Sequence, residues 1–188
     1  DKKETELTGN QSLSDFATGY LFFGLHKTEN EWIIREWLPN ATHIYLIGTF
    51  NDWQEKKEYE FKFSGNGVWE LKLAETALKH GDLYALSVHW AINHGKRIPA
   101  WATRVVQDSS THIFNAQVWV PENPYQWRNP NFQRNNEPLL IYEAHIGMAG
   151  EEERVHTYTE FREEMLPRIK ANGYNTIQLM AIPEHPYY

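Results

Sequence analysis

Two strand-length apolar runs near the end of this 188-residue chain constrain its fold more than any other feature. They are Leu139-Leu140-Ile141-Tyr142-Glu143-Ala144-His145-Ile146-Gly147-Met148 and Thr176-Ile177-Gln178-Leu179-Met180-Ala181-Ile182, and both are β-prone. Between them, Thr157 to Gly173 reads as a helix. Thr157 and Glu160 have the spacing of a capping box, and Phe161, Met165, Leu166 and Ile169 fall on one helical face. Gly173 suits a helix end, while Pro167 removes one donor and bends or tightens the turn. Strand, helix and strand in that order make a βαβ unit with two parallel strands. Strands that are apolar on both faces need cover on both, and one such unit cannot supply it. The expectation is the opening of a larger α/β domain. The second strand runs into Pro183-Glu184-His185-Pro186-Tyr187-Tyr188, at the strand end where α/β folds place their chemistry.

Upstream the pattern changes to short alternating runs broken by turn residues. Asp1 to Asn10 reads as a polar lead-in, and Ser12 to Ala17 as a short helix. Tyr20 to Leu25 is an aromatic patch expected to dock on the rest of the fold. Strands are predicted over Trp32–Leu38, His43–Gly48, Tyr59–Phe63, Val68–Leu73, Leu83–Trp90, Lys96–Trp101 and Ile113–Val120. Gly65-Asn66-Gly67 and Asn93-His94-Gly95 are placed at hairpin turns. Strands so short and so spaced predict an immunoglobulin-like β-sandwich. Pro121 to Pro138 holds four prolines and few aliphatic residues, as a linker does. The expected organisation is a lead-in over 1–25, a sandwich over 26–120, a linker over 121–138, and from 139 to 188 the first β-α-β of a (β/α)8 barrel.

A net charge of −7 disfavours nucleic acid, whose binding rests on Lys and Arg neutralising phosphates. With no cysteine there is neither a disulfide framework nor a thiolate metal site, which fits the cytoplasm. No apolar run is long enough to span a membrane, and no glycine-rich nucleotide loop is present. No cofactor and no metal are expected. Two glycosylation sequons, at Asn10 and Asn40, are short enough to arise by chance.

Eight tryptophans suit either a core or a sugar site, where flat rings cover the apolar faces of pyranoses. Turn-rich surroundings single out Trp53, in Phe50-Asn51-Asp52-Trp53, and Trp37, beside Pro39. Glu143 and Glu184 are not assigned as the carboxylate pair of glycoside chemistry. Glu143 sits mid-strand, where lining or bracing is the simpler role. His145 is expected to be a hydrogen-bonded structural histidine. Glu184 and His185 lie in a loop after a parallel strand and are candidates for substrate contact.

Arg35-Glu36-Trp37-Leu38-Pro39-Asn40-Ala41, Leu46-Ile47-Gly48-Thr49-Phe50-Asn51-Asp52-Trp53 and Gly67-Val68-Trp69-Glu70 resemble the family 48 carbohydrate-binding module. Leu140 to Met148, Leu166-Pro167-Arg168-Ile169-Lys170, Gly173-Tyr174-Asn175 and Ile177 to Tyr188 resemble the first barrel strand, first helix and second strand of the glycogen and starch branching enzymes. The resemblance implies a glycoside hydrolase family 13 enzyme. Such an enzyme cleaves α-1,4 bonds through a covalent glycosyl-aspartate and re-forms them as α-1,6 branches. Its catalytic Asp and Glu residues lie on later strands, so no catalytic residue is assigned here and the piece alone is expected to be inactive. The alternatives are a non-catalytic glucan-binding protein and another family 13 enzyme, such as a debranching enzyme. The expected partner is an α-glucan. Related modules often carry a Lys after the Tyr of Gly81-Asp82-Leu83-Tyr84, where this chain has Ala85. The expected glucan contacts are therefore Trp37, Pro39 and Trp53, with Tyr59 behind them.

Overall fold

The structure, a computed structural model, describes residues 2–9 and 11–182, apart from the side chains of residues 3, 7, 14 and 15. The chain divides into two compact units, Asp1–Pro124 and Tyr125–Tyr188.

In the first unit, β1 (Gly24–Lys27), β2 (Glu31–Trp37), β4 (Lys62–Gly65) and β5 (Val68–Ala74) form one antiparallel sheet in the order β1-β2-β5-β4. The second sheet is built from β3 (His43–Gly48), β6 (Leu83–His89), β7 (His94–Arg97), β8 (Val105–Gln107) and β9 (Phe114–Gln117). It runs β3-β6-β9-β8, with β7 also paired to β6. The period-2 pattern explains why the sheets face each other. Trp32, Ile34, Leu71 and Leu73 of the first sheet share one core with Ile44, Leu46, Leu86, Val88 and Ala116 of the second. This is a sandwich of two antiparallel sheets.

Glu36 is the chemical exception in β2, an acid at 3% exposure. Its two carboxylate oxygens accept the backbone N–H of Trp37 (3.1 Å) and of Ala100 (2.8 Å). Burial raises its pKa and those two donors pull it back, so the bonds compensate a desolvated carboxylate. The Ala100 bond also ties the 99–101 segment to β2. Trp101 of that segment stacks on Phe23 at 5.8 Å, and a Cβ on Gly24 would meet its carbonyl oxygen at 2.8 Å. Phe23, Gly24 and Leu25 are therefore docked on the sandwich, whereas Tyr20, Leu21 and Phe22 of the expected docking patch stand exposed.

Several local expectations are corrected. Gly24 and Leu25 pair with Arg35 and Ile34 as part of β1, so they are sheet residues and not lead-in. The polar lead-in holds α1 (Lys2–Thr8), because its Lys and Glu residues are good helix formers. After it come α2 (Leu13–Phe16), at the expected short helix, and α3 (Gly19–Phe22). Tyr59 ends a 3-10 turn, Lys57–Tyr59, and the strand starts only at Lys62. The β6–β7 turn closes from Trp90 N to Asn93 O at 2.7 Å, with Gly95 inside the ladder opposite Val88. Glycine there marked a strand, and the apolar Ile92 occupies the exposed tip. β8, at three residues, is too short to show a strand period in the sequence; its turn is held by Asp108, which gathers the N–H and hydroxyl groups of Ser110 and Thr111.

In the second unit, β10 (Ile141–His145) and β11 (Thr176–Met180) are parallel, in the register Ile141↔Thr176 to His145↔Met180. The crossover helix begins as α4 (Tyr158–Glu160) with the expected capping box, Thr157 Oγ1 accepting from Glu160 N at 3.2 Å. It does not continue as one α-helix. Phe161–Met165 is a π-helical segment, and α5 (Leu166–Ala171) comes next with Pro167 in its first turn. Leu166 N donates to Phe161 O, five residues back. Pro167 has no N–H to offer Glu163 O, so the widened turn precedes it and Pro167 restarts the helix where proline is tolerated. Phe161 and Ile169 pack with Ala144 and Ile146.

Candidate functional site

The Trp53 loop is shaped from its base upward. β3 ends at Gly48, where a Cβ would collide with the carbonyl oxygen of Leu83 and the ring of Phe50. Asn51, at 1% exposure, accepts from Gly48 N at 2.9 Å and donates to Leu46 O at 3.0 Å. Its amide thus stands in for a ladder partner at the strand end. Asp52 and Trp53 both take positive φ, 58° and 59°, a conformation that costs an L-residue about 1–2 kcal/mol. Trp53 N to Gly48 O (2.9 Å) and Gln54 N to Asn51 O (3.1 Å) hold them there. The result turns the Trp53 ring onto the outer face of the second sheet.

That ring borders a cleft of about 430 Å³, lined also by Gln54, Glu55, Ser87, His94 and Lys96. The sheet register explains the grouping. Ser87 lies opposite Lys96 and His89 opposite His94, and with Leu86 and Val88 turned inward, Ser87 and His89 must face out. Lys96 Nζ lies 5.1 Å from the Trp53 ring centroid, within cation–π range. The Glu55 carboxylate accepts from Ser87 Oγ at 2.6 Å and from His89 Nε2 at 2.8 Å. An ionised carboxylate only accepts, so Nε2 of His89 carries the hydrogen. Burial raises the Glu55 pKa, but the Ser87 and His89 bonds and the charges of His89 and His94 outweigh it, leaving it below the ordinary range. An aromatic wall, an ammonium and a carboxylate in one cleft suit a ligand that is apolar on its faces and hydroxylated at its edges.

Trp37 and Pro39 sit together at a different corner, on the first sheet. A Cβ on Gly67 (φ 79°) would lie 2.8 Å from Trp37 Nε1 and 2.9 Å from Pro39 Cβ, so glycine is needed there on both counts. Trp37 Nε1 donates to Asn66 O at 3.0 Å. Its indole N–H is thereby engaged, and the residue is 55% exposed. Tyr59 packs its ring at 5.2 Å from Phe50, against the core. Glu184 and His185 lie outside the described residues. Sequence reasoning missed Glu55, Ser87, His94 and Lys96. The alternation of β6 carried a signal for Ser87, but nothing local in sequence joins Glu55 to a strand thirty residues on.

In the second unit, Glu143 accepts from Gln178 Nε2 at 3.1 Å across the parallel pair, a bracing role. His145 departs from expectation: its Nδ1 is buried and meets no hydrogen-bond partner among the described residues. Its ring lies against the Gly147 backbone, where a Cβ would sit 3.4 Å from Cε1. Among the described residues no group of three or more His, Asp or Glu could hold a metal ion, and no helix is long and apolar enough to cross a membrane.

Residues 22–102 match the family described as Carbohydrate-binding module 48 (Isoamylase N-terminal domain). Over 189 residues the chain is 43% identical to a 1,4-alpha-glucan-branching enzyme of Aspergillus oryzae, covering 94% of this chain and 27% of that one. For the enzyme of the same name from Rhizophagus irregularis the figures are 42%, 97% and 28%. For that of Dictyostelium discoideum they are 38%, 94% and 27%. The chain thus spans about a quarter of the length of the curated relatives it matches. Among solved structures it is similar to a pullulanase from Bacillus acidopullulyticus, with TM-score 0.69, 18% identity, and coverage of 88% of this chain and 22% of that one. It is also similar to a pullulanase from Paenibacillus barengoltzii in complex with maltohexaose and alpha-cyclodextrin, with TM-score 0.67, 20% identity, and coverage of 95% and 29%. At those identities the likeness speaks for the fold alone. Residues 22–102, most of the sandwich, thus match the family 48 carbohydrate-binding module, and over at least 94% of its length the chain is similar to about a quarter of the length of 1,4-alpha-glucan-branching enzymes.

Proposed function

We propose that this chain is part of a 1,4-α-glucan-branching enzyme, a retaining enzyme of the family 13 type that cleaves α-1,4 bonds and re-forms them as α-1,6 branches. In this reading the sandwich binds an α-glucan such as glycogen, amylose or starch. The Trp53 cleft is the principal contact, and Trp37 with Pro39 is a second one. Tyr59 supports the loop from behind, while Glu184 and His185 contact substrate in the catalytic domain. β10, the crossover helix and β11 form the first βαβ of a (β/α)8 barrel, reached through a linker over 121–138. The catalytic carboxylates belong to sequence outside these 188 residues. The proposed compartment is the cytoplasm; one relative, from Oryza sativa, carries the name chloroplastic/amyloplastic.

The observation that carries the reading is identity of 38–43% with branching enzymes across at least 94% of the chain. The parallel pair supports it, because its apolar side chains, Leu140, Ile141, Leu179 and Met180, stand exposed, as the first strands of a larger sheet would.

The test is linkage analysis of amylose treated with the protein expressed from the longer reading frame. New α-1,6 linkages are expected. Loss of existing α-1,6 linkages from glycogen would identify a debranching enzyme, and no change in either would favour a binding protein. The 188-residue chain by itself should bind glucan and make no new linkage.

A further inference from the structure

The cleft beside Trp53 contains a carboxylate whose bonding capacity is half used. Both donors to Glu55, Ser87 Oγ and His89 Nε2, land on Oε1. Among the described residues Oε2 makes no hydrogen bond. The group is held in place from several sides. Ser87 is a buried hydroxyl of β6, at 6% exposure. His89 is stacked on His94 at 5.2 Å and edged by Tyr45 at 5.9 Å and His43 at 6.3 Å. On the other side of the cleft Lys96 is engaged over Trp53. The free oxygen is therefore a fixed, charged acceptor on a residue that lines the cleft, beside a flat ring.

Such an acceptor reads one property of a sugar: whether the edge presented to it carries a hydroxyl donor. A phosphate ester at that hydroxyl removes the donor and places a like charge against the carboxylate, which is unfavourable at hydrogen-bond distance. We propose that Glu55 is a specificity-determining residue of the cleft, accepting a hydrogen bond from a glucan hydroxyl through Oε2 and so selecting neutral, unesterified α-glucan over phosphorylated glucan. This rests on the reading that the Trp53 cleft takes α-glucan.

Glu55→Gln is the informative variant. Its amide oxygen can keep the Ser87 and His89 bonds, while an NH2 donor replaces the free acceptor. The affinity of the 188-residue chain for maltoheptaose is measured against its affinity for maltoheptaose carrying a phosphate monoester. The wild type should prefer the neutral chain by roughly tenfold or more, the size of one hydrogen bond to a charged group. Glu55→Gln should bring the ratio close to one. Ser87→Ala, which loosens the carboxylate, should lower it in the same direction. If the wild type binds both dextrins and Glu55→Gln leaves their ratio unchanged, the role of Glu55 is overturned while glucan binding stands. If the wild type binds neither, or Trp53→Ala binds both as well as the wild type, the glucan reading fails and the Glu55 assignment with it.

Discussion

Asn51 shows how much one buried side chain decides. Its amide satisfies a strand-end N–H and a carbonyl and so fixes the two left-handed residues that present Trp53. Asn51→Ala leaves both backbone groups buried without a partner, and the sandwich should lose about 2–4 kcal/mol, measured by urea denaturation. The same variant should weaken binding to maltoheptaose. Gly48→Ala drives a methyl into the Leu83 carbonyl and the Phe50 ring, so it should destabilise by about 3 kcal/mol or more. Trp53, Trp37 and Pro39 were legible as candidates because turn residues surround them. The role of Asn51 was not, since an asparagine in a turn motif reads the same whether it is exposed or at the foot of a strand.

At the scale of elements, the crossover helix was legible at its ends and not in its middle. Thr157, Glu160 and Gly173 carry local signals, whereas the π-helical segment arises from Pro167 acting on the turn before it. Glu160 also accepts from Arg154 at 2.7 and 3.0 Å. The Arg154 bonds first, and the Thr157 N–H and hydroxyl after them, lower its pKa from 4.5 to about 2. A depressed acid contributes stability that is complete above its unfolded value and is lost as pH falls through the folded one. The contribution of Glu160 should therefore be present above pH 4.5 and fade between 4.5 and about 2. Carboxyl NMR titration should find it as a low outlier, and Arg154→Ala should return it toward the ordinary value. The two hairpins divide in the same way. Gly65-Asn66-Gly67 sits in a two-strand turn that sequence alone marks, but the β6–β7 turn was displaced because burying Leu86 and Val88 sets the register, and a tip residue as apolar as Ile92 hides it.

Across the whole molecule, a sandwich and a parallel strand pair are what two different hydrophobic periods predict. Alternation gave the antiparallel sheets, and continuous apolar runs gave β10 and β11. The Trp53 cleft was beyond such reasoning, because it assembles a loop, β6 and β7 through tertiary pairing. On the proposed reading, a longer branching enzyme that contains this chain should cover the exposed faces of Leu140, Ile141, Leu179 and Met180. Hydrogen exchange of β10 and β11 should accordingly be slower there than in the 188-residue chain. The central claim is that the sandwich binds α-glucan at Trp53. Isothermal titration of the 188-residue chain with maltoheptaose tests it most directly. Saturable binding is expected, weakened roughly tenfold or more by Trp53→Ala through loss of the stacking face; affinity unchanged by that substitution, or no binding by the wild type, would contradict it.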